Sequence, residues 1–216
     1  HELSPRLKRA LEWSAYAHQP QRRYVERLTE SGEYEFPLYL EHPYIVMAIA
    51  AQVTDDEDIL IACLLHDVIE DQPDRMSLDM IEREFGPRVK RIVRDVTKDK
   101  TIINKGSRNA NYLEHINTDA CEEARIVCMA DKIHNIMCDL DDYQLIGEEL
   151  WEKFNKNGES VEETKVRKFT WFNGVYHIML LRMPYHPLTH VLGEMVAMYD
   201  ETCFGDISLP EYEHAL

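Results

Sequence analysis

The chain has 216 residues, enough for one large domain or two small ones around a sizeable core. Forty acidic against 24 basic side chains leave a formal charge of −16, which argues against general nucleic-acid binding, because that requires a basic surface to displace counterions. No signal peptide, membrane-length apolar run or low-complexity segment is legible, and five cysteines without a CxxC pair read as reduced thiols, so the expectation is a cytoplasmic protein with no DNA, RNA or membrane partner.

In chain order nearly every segment reads as helix. Pro5 to Ala17 opens on Ser4-Pro5, a cap and first-turn pair, and carries Leu7, Leu11 and Ala15 at helical spacing. The stretch from Gln19 to Pro37 is polar, contains Pro20, Gly32 and Pro37, and reads as a loop with room for one short helix. Tyr44 to Gln52 is apolar and follows His42-Pro43, a helix-start signal. Thr54 to Glu57 has the capping-box pattern, and the helix it opens is expected to run through Gln72. Ser77–Phe85 and Arg88–Val96 are two further helices, with a polar loop from Thr97 to Ser107. Asn109–Ile116 is another helix, and Thr118 opens a long one through Leu140. A polar segment, Gly147 to Glu159, precedes a last helical hairpin, Val161–Leu181 and Pro187–Tyr199. No alternating strand pattern and no composition break emerge, so the expectation is one all-α domain over 1–216, with a core at about 5–146 and an extension at about 147–216.

Charge is unevenly distributed. Between Arg83 and Arg108 there are nine Lys/Arg and three Asp/Glu, whereas Glu30 to Glu82 holds fourteen acids and one base, Arg75. A basic block in an acidic chain can hold a small polyanion such as a nucleotide phosphate, although on charge alone a solvated helix and loop is the favoured explanation.

The run from Ala62 to Gln72, ACLLHDVIEDQ, is the most unusual stretch. An apolar helix carries His66-Asp67 and then Glu70-Asp71, and on a continuous helix these lie one turn apart on one face. Buried carboxylates are paired or bound to metal. The run therefore reads either as metal ligands beside an acid/base pair or as a helix end entering solvent. His42 at a helix head and Asp131 inside an apolar helix add metal-type donors, each with a plain alternative: a cap or surface role for His42, pairing with Lys132 for Asp131. Two imidazoles and two carboxylates suit one divalent ion, with Mn²⁺ the first choice and Fe²⁺ or Zn²⁺ alternatives.

The pieces His18–Arg23, Tyr39–Pro43, Cys63–Asp71, Phe85-Gly86, Val96–Lys98, Asn111-Tyr112 and Ala130–Asn135 follow one another in an order that resembles the HD metal-dependent phosphohydrolase superfamily. Within it the chain is similar to the alarmone hydrolase domain of the RelA/SpoT homologue family, in its small, stand-alone form. The resemblance implies a helical fold of roughly eight to ten helices and metal-dependent removal of the 3′-diphosphate of (p)ppGpp, the stringent-response alarmone, giving GDP or GTP and pyrophosphate. It implies His42, His66, Asp67 and Asp131 as metal ligands and Glu70 and Asp71 as the pair handling the attacking water. It implies Arg23, Tyr39 and Asn135 as substrate contacts, with Lys98 and Arg108 as further candidates from the basic block. His134 is not expected to be a ligand. The competing expectations are hydrolysis of another nucleotide, such as (p)ppApp, NADPH or a nucleoside monophosphate, and a non-catalytic metal or nucleotide sensor. Departures from the family pattern are Pro20, a segment before Tyr39 about ten residues longer than usual, and Met137-Cys138 where an Arg and a Thr are common. These two residues thin the polar groups beside Asn135, so the expectation is a looser choice of base. The last helices are expected to cover the cleft or to form the face of a homo-oligomer.

Overall fold

The computed structural model describes residues 3–29, 31–155 and 158–205; the remainder of the expected C-terminal extension, 156–157 and 206–216, lies outside the described residues. Helices are set up by local chemistry. Helix α1 (Pro5–His18) starts where Ser4 accepts from the Leu7 amide, and α5 (Leu78–Phe85) where Ser77 accepts from the Met80 amide. Gly86, at φ +95°, turns the chain from α5 into α6 (Pro87–Val96), a backbone angle that side-chain-bearing residues rarely adopt.

Several boundaries differ from expectation. Helix α2 (Glu41–Ala50) begins before Tyr44, so His42 and Pro43 sit in its first turn. Asp56 rather than Thr54 caps α3 (Glu57–Leu65), accepting from the Asp58 amide. Helix α3 then stops at Leu65; His66 and Asp67 form a turn before the single-turn α4 (Val68–Asp71), so the expected helix through Gln72 is broken at its polar dipeptide. Helix α7 (Lys105–Thr118) takes in the end of the expected loop, because Asn104 caps it through the Ser107 amide. Thr118 ends α7 rather than opening the next helix, and α8 (Glu122–Ile146) runs six residues beyond Leu140 to Gly147. The polar segment contains α9 (Glu149–Phe154), and a capping box between Ser160 and Glu163 opens α10 (Val161–Arg182). Helix α11 (Pro187–Phe204) completes the order.

The stretch before Tyr39 departs most from the reading as loop or helix. It forms a small antiparallel hairpin, β1 (Arg27–Leu28) with β2 (Tyr34–Glu35), whose foot is held by an Arg22–Leu38 bridge. Short paired strands of two residues carry no periodic signal, which is why alternation does not reveal them.

Helix α8 is the axis of the fold. It packs against α2, α3 and α6 on one side and α9, α10 and α11 on the other. Thirteen of its residues are buried, Ala130 and Ile136 completely. With apolar neighbours on both sides, its central turn carries Asp131, Lys132 and His134 into the interior.

Candidate metal centre and phosphate cleft

Four acidic and imidazole side chains from three elements meet at the middle of α8. The ligand atoms of His42, His66 and Asp67 all lie within 4.8 Å of one another. The two Nε2 atoms are 3.2 Å apart, and Asp67 Oδ2 is 3.5 Å from that of His42 and 3.1 Å from that of His66. Asp131 Oδ1 faces the same pair from α8, at 3.2 Å and 3.7 Å. The break after α3 makes this possible, because residues i and i+1 of a continuous helix point about a quarter-turn apart and do not share a target. His66 Nδ1 sits 2.7 Å from the Cys63 carbonyl, so it donates there and Nε2 is the nitrogen turned toward the cluster.

This donor set fits a divalent cation. Neighbouring ligands of an ion held at roughly 2.1 Å lie about 3.0–3.4 Å apart by simple geometry, close to the spacings here. Electrostatics agree. Burial opposes charge on His66, but Asp67 and Asp131 override it and hold the imidazole well above its usual range; burial likewise opposes charge on both carboxylates, yet Asp67, chiefly through His66, and Asp131, chiefly through Lys132, are held well below theirs. The cluster thus draws in positive charge.

Around it stand the expected acid/base and substrate residues. Glu70 and Asp71, on α4, both line a cleft of about 400 Å³ that opens onto Asp67 and Asp131. Asp71 Oδ2 accepts from Gln21 Nε2 at 3.0 Å, and burial, then the Asp67 charge, push its carboxyl above the usual range. The Glu70 carbonyl accepts from Lys100. The Tyr39 hydroxyl donates to Asp67 Oδ2, and Asn135 Nδ2 donates to Asp131 Oδ1, so both expected substrate contacts also hold a carboxylate of the cluster in place. Arg23 lines the cleft, its guanidinium 5.9 Å from the Tyr39 ring centre. Lys98 lines it too, lying 4.6 Å from the Trp171 ring centre and 5.5 Å from that of Tyr112; burial, then Lys132, lower its pKa. Arg108 stands apart: it does not line the cleft, and its guanidinium donates to the Ile102 carbonyl at 3.3 Å.

Two readings from the sequence are changed. Asp131 and Lys132 do pair, as the plain alternative for Asp131 has it, while Asp131 also faces the imidazoles. Met137 and Cys138 do not border the cleft. Met137 opens into a groove between α8 and α11, and Cys138 turns to His134 Nε2 at 3.3 Å, so the ground for a loosened base choice is removed. Two and three residues past Asn135, the helix has simply rotated them away.

Other residues went unread in the sequence. Lys168, from α10, enters the cleft and pairs with Asp139 at 2.7 Å; Phe154, from α9, lies beside it, 4.0 Å from ring centre to ammonium. Arg27 of the hairpin pairs with Asp142 on α8, and Tyr24 meets Phe154 edge-on, so the long segment before Tyr39 closes one side of the cleft. The i,i+3 spacing of Asp139 and Asp142 was the available signal, two acids on one face of a mostly buried helix. Of the C-terminal helices, α9 and α10 border the cleft, through Phe154 and Lys168.

Comparison with known proteins agrees with this geometry. Residues 10–142 match the HD domain family. The chain is 32% identical over 133 residues to the guanosine-3′,5′-bis(diphosphate) 3′-pyrophosphohydrolase MESH1 of Drosophila melanogaster, covering 62% of this chain and 69% of that protein. The Mus musculus MESH1 is 33% identical over 132 residues, covering 60% and 67%. A solved structure described as a metazoan ortholog of SpoT that hydrolyzes ppGpp superposes with a TM-score of 0.71 at 26% identity, over 92% of this chain and 97% of that one. In the order of its motifs, the course of its helices and the meeting of histidines and aspartates against α8, this chain belongs to the HD domain family.

Proposed function

We propose that this chain hydrolyses guanosine-3′,5′-bis(diphosphate) at its 3′-diphosphate, releasing GDP and pyrophosphate, with Mn²⁺ held by His42, His66, Asp67 and Asp131. The observation that carries this reading is the meeting of those four residues, His42 buried behind and the other three opening onto a cleft whose walls bring Glu70 and Asp71 together with Lys98, Lys132 and Lys168. An ion bound there supplies positive charge to phosphate oxygens and a water acidified toward neutrality.

The chain's own residues do the rest. The oxygen of one water bonds to the phosphorus attached to the ribose 3′-oxygen, the bond between them breaks, the 3′-oxygen takes a proton and pyrophosphate departs. Glu70 and Asp71 orient that water and move its protons. Asp71, whose affinity for a proton is raised, is suited to hold one for the 3′-oxygen. Lys98 and Lys168 face the phosphates from the cleft wall and offset charge that grows on their oxygens. The Arg23 guanidinium, planar and beside Tyr39, offers a face to the purine.

The reading treats the chain as one domain, because α10 and α11 pack on α8 and α10 contributes Lys168 to the cleft. Five free cysteines, four of them buried, support a reducing, cytoplasmic setting, and no helix among the described residues is long and apolar enough to cross a membrane.

The test is incubation of the purified chain with ppGpp and Mn²⁺, and again with a chelator, followed by separation of products. GDP and pyrophosphate in equal amounts, lost on chelation, are expected. Release of orthophosphate, or turnover that ignores the chelator, overturns the reading.

A further inference from the structure

Behind the metal-type cluster a second row of polar groups runs from buried His42 to part-buried Cys138 and takes no part in the reaction described above. His42 Nδ1 lies 2.7 Å from His134 Nδ1, and His134 Nε2 lies 3.3 Å from Cys138 Sγ. The two rings are 4.9 Å apart between centres and inclined by 21°, so they meet nearly in one plane. Both histidines are buried, at 1% and 5% exposure, which confines each ring's hydrogen bonding to the partners on the page.

Two nitrogens with 2.7 Å between them share one proton: one donates, the other accepts. A neutral imidazole carries its hydrogen on only one nitrogen, so each choice fixes the next group along. If Cys138 donates its thiol hydrogen to His134 Nε2, then His134 carries hydrogen on Nδ1 and donates to His42 Nδ1. His42 then carries hydrogen on Nε2, directed at Asp131 or Asp67, and has no lone pair for an ion. In the opposite arrangement His134 carries hydrogen on Nε2 and donates it to the sulfur, His42 donates from Nδ1 to His134, and His42 Nε2 is bare.

We propose that His134 and Cys138 are positioning residues that select the His42 tautomer able to bind the metal, with Cys138 Sγ as the terminal acceptor of the row. The two arrangements contain the same three hydrogens. Only the sites differ: the hydrogen of His42 moves from Nε2 to Nδ1, that of His134 from Nδ1 to Nε2, and the thiol hydrogen turns away from the ring. No proton is gained or lost by the row. His66 needs no such device, because the Cys63 carbonyl is an acceptor that never donates. His42 lacks a carbonyl there, and a histidine backed by a thiol takes its place.

The inference rests on the metal reading of the cluster and not on the identity of the substrate. Its test is ring-nitrogen NMR of the full chain labelled with ¹⁵N-histidine, with Zn²⁺ as a diamagnetic probe. In the Zn²⁺-loaded protein His42 should carry hydrogen on Nδ1 and His134 on Nε2. Zn²⁺ titrations should show affinity down about 10–100-fold in His134→Phe, the usual loss when the partner of a ligating histidine is removed. A smaller loss is expected in Cys138→Val, and parent-level binding in Cys138→Ser, whose hydroxyl oxygen accepts in place of sulfur. A Zn²⁺-loaded protein in which His134 carries hydrogen on Nδ1 overturns the proposal, whether or not the variants fold. Parent-level affinity in both His134→Phe and Cys138→Val overturns it as well. A chain that binds no Zn²⁺ at all overturns the metal reading and the relay with it, whereas correct tautomers in a protein inactive on ppGpp sink only the substrate assignment.

Discussion

Asp131 and Lys132, adjacent on α8, form a buried ion pair at the back of the metal-type cluster, with side-chain exposures of 10% and 9%. Asp131 thus has two duties, facing the imidazoles with Oδ1 and the ammonium with Oδ2. Asp131→Ala should abolish stoichiometric metal binding and also destabilise the chain in a chelator, by about 3–5 kcal/mol, because Lys132 is left buried and uncompensated. Adding Lys132→Met should recover most of that stability without recovering metal. Denaturant midpoints in chelator decide it: a single variant as stable as the parent refutes the two-duty reading.

Glu70 and Asp71 line the cleft beside the metal-type cluster. In Glu70→Gln and Asp71→Asn the metal content should equal that of the parent while turnover of ppGpp falls by roughly two to four orders of magnitude. Metal analysis beside single-turnover rates separates the two effects. Native rates in both variants remove the acid/base role.

Lys98 is a part-buried cation lying on Trp171 and Tyr112, with no ion pair among the described residues. Burial and Lys132 both disfavour its charge. Lys98→Met should therefore raise the melting temperature while lowering kcat/KM by at least about tenfold, the pattern of a group kept for function at the expense of stability. A variant less stable than the parent and equally active contradicts this.

Arg27 joins the hairpin to Asp142 on α8. A part-exposed pair of this kind contributes about 1 kcal/mol or less, so Arg27→Ala should leave global stability nearly unchanged. Because the hairpin segment closes one side of the cleft, KM should rise by roughly fivefold, about 1 kcal/mol, with kcat held. Unchanged KM places the hairpin outside substrate binding.

Metal removal gives a further check. Because a preformed site couples binding to the folded state, saturating Mn²⁺ should raise the melting temperature of the parent and leave that of Asp67→Ala unmoved. An equal rise in both proteins points to binding elsewhere.

Local sequence rules reached far in this chain. The caps at Ser4 and Ser77 and the turn at Gly86 are decided by residues within a few positions of each other, and the helices they delimit stand close to where periodicity puts them. Asp131 and Asn135, four apart, share a face on α8 because helix geometry leaves no alternative. The donors His42, His66, Asp67 and Asp131 were legible as residue types in an unusual apolar setting. What only the tertiary structure decided involves partners far apart in the chain. The break at His66-Asp67 joins one helix to a cluster completed 65 residues later by Asp131; a hairpin too short to show alternation reaches 115 residues ahead to Asp142; Lys168 enters the cleft from a helix whose own pattern does not point to it; and Cys138 faces His134 rather than the cleft. Periodicity fixes the angle of a side chain about its own helix axis, but which neighbour lies at that angle is set by how the helices pack, and only the fold holds that information.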